Sequence, residues 1–261
     1  MTVTVRELRR GTPRVLLLHG LEDSWTSWRT PAAGLPPDWG LVALDLPWRA
    51  GNDYAWRRAA DPAGWLRNGL DQLDGAVDAT IAHSFGATAA LSLMAAGERR
   101  LGSAAVLISP LYRPPDAPVT WDLLDRSRTS FVRNVRDGVS VRLGDRAIDP
   151  DVREGVLAKA VERVGPRALL ATFDEFVAST DLPLHAITQR TLILTGAADA
   201  VLSDRAASAL AERVPGARLC ARDGFDHYCH LRRPAPVARL AADYIGGSVR
   251  PEVIPNEGSV T

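Results

Sequence analysis

No run of this sequence is apolar for the ~18–20 residues that a membrane helix needs, and residues 1–11 hold no apolar block of the kind that opens a secreted protein. The chain is therefore expected in the cytoplasm, with no membrane as partner. Cysteine is scarce: Cys220 and Cys229 make neither a disulfide framework nor a metal-ligand cluster, and both are expected as reduced thiols. Lysine is scarcer still, with Lys159 standing alone. Almost all positive charge is arginine, spread along the chain among acids, so the formal net charge is +0 and the pI about 7.0. That balance lacks the basic footprint of a nucleic-acid binder, so no nucleic-acid partner is expected. There are no internal repeats and no low-complexity tracts.

What is there is ordinary for a globular protein. The 261 residues, 46% hydrophobic and 24% charged, are enough to bury a large core. Short apolar runs end in turn residues at Val15–Leu18, Leu41–Leu44, Ala79–Ala82, Ala105–Ile108 and Leu192–Leu194, with a further short strand expected around Arg218–Ala221. Near-continuous apolar runs of this length predict strands buried on both faces, as in a parallel sheet. Helix-period segments lie between them at Asp61–Leu73, Phe85–Ala96, Ser203–Val214 and Pro234–Ile245. Strand and helix in alternation predict an α/β sheet with helices on both faces.

One block interrupts the alternation. Residues 111–188 hold three helical patterns, Trp121–Arg136, Val152–Val164 and Arg167–Ser179, the last with Leu169, Leu170, Phe173, Phe176 and Val177 at helical spacing. They predict a helical insertion over the C-terminal ends of the strands, where open sheets bind ligands. The expected organisation is a core of residues 1–110 and 189–246, a helical cap of 111–188, and a flexible tail of 247–261.

Four short segments carry chemistry. In Ala82-His83-Ser84-Phe85-Gly86, a serine sits where a buried strand meets an Ala-rich helix, with small residues two before and two after. A sharp strand-to-helix turn admits only small flanks and raises the Ser84 hydroxyl at the sheet edge. The backbone N–H of Phe85 then faces the substrate oxygen. His19-Gly20-Leu21, ending an earlier strand, offers a second N–H at Leu21 for an oxyanion hole. Thr195-Gly196-Ala197-Ala198-Asp199 places an acid just past a late strand. Gly224-Phe225-Asp226-His227 supplies a base. The order Ser…Asp…His predicts Ser84 as nucleophile, His227 as general base and Asp199 as the acid that orients it. His230 is the nearest rival base, His83 is expected to point away along the turn, and His19 and His185 are expected in structural or surface roles.

With these segments in view, the sequence resembles the α/β-hydrolase superfamily from about Arg14 to Ile245, in LLLHG at Leu16–Gly20, AHSFGATAA at Ala82–Ala90, LILTGAAD at Leu192–Asp199 and the GFDH turn at Gly224–His227. Many members carry a proline seven residues after the catalytic histidine, and Pro234 stands there relative to His227. The resemblance implies an α/β-hydrolase fold, a mostly parallel sheet with helices on both faces and a helical cap between strands six and seven. It departs at Trp48-Arg49-Ala50-Gly51, in the loop after strand four, where the family usually continues with Gly and a small or aromatic residue.

The resemblance implies a serine esterase or thioesterase acting on a hydrophobic acyl substrate, a small molecule. Two alternatives stay open: a cyclase or C–C bond hydrolase of secondary metabolism, and a non-catalytic ligand-binding member. This mechanism needs no cofactor, and no metal-ligand spacing appears. Trp25, Trp48, Trp56 and Trp121 follow strand ends or open the cap and are expected to line an aromatic pocket. Arg49, Arg57 and Arg58 are expected on the surface, with an anionic group in that pocket as the alternative partner for one of them.

Overall fold

The computed structural model describes residues 3–58 and 61–247. In chain order its elements are β1 (Thr4–Arg9), β2 (Arg14–Leu18), α1 (Arg29–Ala33), β3 (Gly40–Asp45), α2 (Pro62–Leu70), β4 (Ala79–His83), α3 (Ser84–Ala95), β5 (Ala104–Ile108), α4 (Trp121–Leu143), α5 (Pro150–Ala178), β6 (Arg190–Gly196), α6 (Asp204–Arg213), β7 (Arg218–Arg222), α7 (Cys229–Arg232) and α8 (Pro234–Ile245). Four 3₁₀ turns, among them Trp25–Trp28 and Ala55–Arg58, complete the described residues.

The strands form one seven-stranded sheet in the order β1-β3-β2-β4-β5-β6-β7. Only β1 runs antiparallel to its neighbour. Successive side chains of β2 point to opposite faces: Leu16 and Leu18 enter one apolar core with α2, α3 and α6, while Val15 and Leu17 enter a second with α1 and α8. Both faces are covered, which is why the central strands read as unbroken apolar runs. The edge strand β1 lacks that pattern; it is half-buried to exposed and was not among the expected strands.

Helices α4 and α5 lie between β5 and β6, the fifth and sixth strands of this chain rather than the sixth and seventh. The sheet opens with a single antiparallel strand, so each strand count falls by one, and the Asp45 loop likewise follows β3. Helix α5 contains two of the three expected helices. It breaks at Gly165 (φ 68°, ψ 174°), directly before Pro166, because proline cannot continue the hydrogen-bond ladder and only glycine adopts that backbone cheaply. The Arg57 guanidinium hydrogen-bonds the carbonyls of Arg163 and Val164 at the break, satisfying acceptors that a helix end leaves open. Of the expected tail, all beyond Gly247 lies outside the described residues. Among the described residues, no helix is long and apolar enough to cross a membrane.

Candidate active site

The turn between β4 and α3 is tight enough to force Ser84 to φ 50°, a conformation most L-residues avoid. The flanks explain the need for small residues. A Cβ on Gly86 would stand 2.4 Å from the His19 carbonyl oxygen, and one on Gly20 would stand 2.8 Å from His83 Nδ1 and 3.2 Å from Ser84 Cβ. The turn after β2 and the serine turn thus lock against each other through two glycines. Thr88, one helical turn on, hydrogen-bonds the Ser84 carbonyl (3.2 Å) and accepts from the Leu111 N–H (2.8 Å), which ties α3 to the exit of β5.

Three distant side chains converge here. His227 Nε2 lies 2.9 Å from Ser84 Oγ, and His227 Nδ1 lies 3.2 Å from Asp199 Oδ1. Asp199 Oδ1 also accepts from the Val201 N–H (2.8 Å) and the Leu202 N–H (3.3 Å), so its own loop fixes its orientation. Burial works to raise the Asp199 carboxyl, but adjacent His227 and the accepted hydrogen bonds outweigh it, and the group sits below the ordinary carboxylate range. Two other acids near the sequence motifs are occupied elsewhere: Asp226 pairs with Arg232, and Asp116 with Arg205 on the surface.

The remaining histidines sort by contact. His230 is fully buried behind His83, ring centroids 4.1 Å apart; burial and the neighbouring His227 press its pKa down to about 3. His83 does not point away. Its Nε2 donates to the backbone carbonyl of His227 at 2.8 Å, and its ring stands 4.9 Å from that of His227. Burial, with His230 and His227 close by, holds it well below the usual histidine range and therefore neutral. His19 accepts from the Leu46 N–H at Nε2 (2.9 Å), while its carbonyl accepts from Trp48 Nε1 (3.1 Å), fastening two loops together. His185 is exposed.

Ser84 and His227 open into a cavity of about 350 Å³, within the size range of small-molecule sites. Leu21 and Phe85 line it next to Ser84, and Phe85 lies in the first turn of α3, where an N–H has no intrahelical acceptor. None of the four expected tryptophans is among its lining residues. Trp48 and Trp56 are buried under the floor against Phe85, centroids 5.1 and 5.6 Å away. Trp25 packs with the other core and carries the Arg29 guanidinium over its ring. Trp121 is 86% exposed, because it lies about 200° around α4 from cavity-lining Leu123. The aromatic walls are instead Phe131 of α4 and Phe173 and Phe176 of α5. Of the arginines for which an anion was the alternative partner, none is among the lining residues: Arg49 pairs with Asp45, and Arg57 stacks on Tyr54 and holds the α5 break.

Sequence reasoning missed the support of the turn after β2. Glu22, next to Leu21, is buried at φ 54°; its carboxylate accepts from Tyr54 Oη (3.1 Å) and meets Arg163 of α5 (3.5 Å). Asp23 meets Arg142 of α4 at 3.7 Å. The two helices above the cavity are thereby pinned to two consecutive acids beside Leu21. One buried group has metal-ligand residue types: donor atoms of Asp23, His83 and His230 lie within 4.8 Å of one another. Tetrahedral zinc holds its ligands roughly 3.4 Å apart; Asp23 Oδ1 receives Ser24 N–H and Arg142, while Asp23 Oδ2, His83 Nδ1 and both His230 ring nitrogens are buried without a hydrogen-bond partner among the described residues.

A family model described as "Alpha/beta hydrolase family" matches residues 15–240. No curated protein matches by sequence. Among solved structures, the chain is similar to an enol-lactonase from Burkholderia xenovorans (18% identity, 94% of this chain and 96% of that one, TM-score 0.63). It is similar also to a haloalkane dehalogenase from Bradyrhizobium elkani (20%, 94% and 94%, 0.64) and to an esterase from Exiguobacterium antarcticum (16%, 94% and 95%, 0.63).

Proposed function

The chain belongs to the alpha/beta hydrolase family, and from that premise we propose that it is a serine hydrolase cleaving a carboxylic ester or thioester of a small-molecule acyl substrate. The observation that carries this reading is the unbroken line Asp199–His227–Ser84 opening into a cavity. Fold alone would not carry it, since one scaffold hosts many reactions.

In the proposed reaction, Ser84 Oγ attacks the acyl carbon while its proton passes to His227 Nε2. The negative charge gathering on the acyl oxygen meets the Leu21 and Phe85 N–H groups and the N-terminus of α3. Removing one such donor typically costs about 10²–10³ in rate. His227 returns the proton to the departing oxygen or sulfur, leaving an acyl-Ser84. Water then attacks this ester with His227 again as base, which frees the acid and restores Ser84. Asp199 stabilises the transient imidazolium and holds Nδ1 protonated. No cofactor takes part in these steps. The serine also separates this chain from hydrolases that place a carboxylate at that turn.

The test is a panel of p-nitrophenyl esters of graded chain length beside matched acyl thioesters. The wild type is expected to turn over at least one class, and Ser84→Ala and His227→Ala to lose several orders of magnitude in kcat. Near-wild-type turnover by Ser84→Ala would end the covalent mechanism. Turnover of a C–C or cyclisation substrate in preference to every ester would move the reaction class while keeping the nucleophile.

A further inference from the structure

We infer that the acyl part of the substrate is oxygenated along one edge, carrying neutral hydroxyl or keto groups, and is not a plain hydrocarbon chain. The inference rests on the hydrolase reading above and narrows its substrate class. It is carried by the way α4 sorts its polar residues. Ser127, Ser130 and Asn134 all line the cavity and are half-buried. Their spacing of three and four residues sets them in one stripe on one helix face, about 10 Å long. Among the described residues, none of the three side chains has a hydrogen-bond partner.

The charged residues of the same helix behave differently. Asp122 pairs with Arg126, Asp125 with Arg128 and half-buried Arg136 with Glu154, the other five being exposed. Ionic groups are therefore matched to one another, including Arg126 at the cavity edge, while the hydrogen-bonding groups left without a partner there are uncharged. Across from the stripe, α5 presents Leu169, Phe173 and Phe176, again at helical spacing, with Thr172, whose hydroxyl donates to the Ala168 carbonyl (2.7 Å). A ligand between the two helices meets hydrogen-bonding groups on one edge and hydrocarbon on the other.

A plain acyl chain laid along the stripe would strip water from two hydroxyls and an amide and give nothing back, at about 1–3 kcal/mol for each group fully desolvated. Oxygen substituents on that edge restore the bonds. Serine and asparagine both donate and accept, so hydroxyl and ketone are equally served. The stripe holds no charge, and Arg126, which also lines the cavity, is engaged by Asp122; neutral oxygens fit better than carboxylates or phosphates.

The experiment compares kcat/KM of the full-length protein on p-nitrophenyl octanoate and on its counterparts hydroxylated at the β, δ or ζ carbon. At least one hydroxylated ester should be preferred by about tenfold, the value of one good hydrogen bond. In Ser130→Ala/Asn134→Leu that preference should fall to about onefold or reverse. Each preference is a ratio within one protein, so a general loss of activity cancels. Should the double variant fail to fold, Ser130→Ala, which removes one oxygen, should shrink the same ratio. The inference is overturned if the wild type favours plain octanoate over all three hydroxylated esters, or if the preference survives in the variants. No turnover of any ester, together with no fluorophosphonate labelling of Ser84, sinks the hydrolase reading itself and this inference with it.

Discussion

Replacing Asp199 by Asn removes one charge and little else. Asp199 Oδ1 accepts from the Val201 and Leu202 N–H groups and faces His227 Nδ1. An asparagine with its carbonyl oxygen at that position keeps all three contacts. Its amide nitrogen then falls where Asp199 Oδ2 lies, 3.4 Å from Thr195 Oγ1. That hydroxyl can donate to the Leu202 carbonyl (3.2 Å) and accept from the new amide. Loop and tautomer both survive, and only the Coulomb stabilisation of the imidazolium is lost. At ~4 Å and an effective dielectric constant near 20, that is on the order of 4 kcal/mol, or about a thousandfold in kcat. An amide that forced the wrong tautomer would cost more, about 10⁴. The assay is kcat and KM on p-nitrophenyl butyrate beside a melting curve. The expected outcome is a kcat loss near a thousandfold with Tm unchanged. A kcat within about threefold of wild type would refute the assignment of Asp199; a collapse of Tm would show that the asparagine does not keep the loop's hydrogen bonds.

Three further outcomes follow from packing and charge. Gly86→Ala drives a methyl against the His19 carbonyl and should cost at least about 1–3 kcal/mol as overpacking, with activity lost because the serine turn must shift; an unchanged Tm and rate would contradict this. Glu175 is raised to about 7 by burial first and by Asp61 and Asp174 next. The unfolded chain releases that proton near the ordinary carboxyl value, so stability from this group falls as pH rises from the ordinary range through about 7 and is flat above; Glu175→Gln should raise Tm relative to wild type at pH 8 and not at pH 4, read by melting curves at both. Glu22→Ala leaves the buried Tyr54 hydroxyl and Arg163 without their acceptor and should cost about 1–3 kcal/mol, with kcat falling more than KM rises because Leu21 is adjacent. Equal kcat with only a raised KM would separate Glu22 from the oxyanion turn.

The fold, and the three side chains that converge beside the cavity, were legible in the sequence because local rules govern them. A strand covered on both faces must read as an apolar run, and a serine at φ 50° between strand and helix must have small flanks. The order of Ser84, Asp199 and His227 along the chain then singled them out among many serines and acids. The pocket was not legible. Tryptophan type and its place after a strand end say nothing about direction, and Trp48 and Trp56 went under Phe85 while Trp121 went to solvent. The true aromatic lining sat in periodic positions of α4 and α5, at Phe131, Phe173 and Phe176. The pins from Arg142 and Arg163 to Asp23 and Glu22 join segments more than a hundred residues apart, and no periodicity announces such pairs. Strand β1 was missed because an edge strand with one wet face carries only weak alternation.

Mass mapping of a fluorophosphonate adduct tests the nucleophile most directly. The prediction is a single adduct on the peptide carrying Ser84, absent in Ser84→Ala and formed at least about a hundredfold more slowly in His227→Ala, where no base takes up the proton. An adduct on another residue, or labelling of Ser84→Ala at the wild-type rate, would contradict the assignment of Ser84 and with it the chemistry built on that hydroxyl.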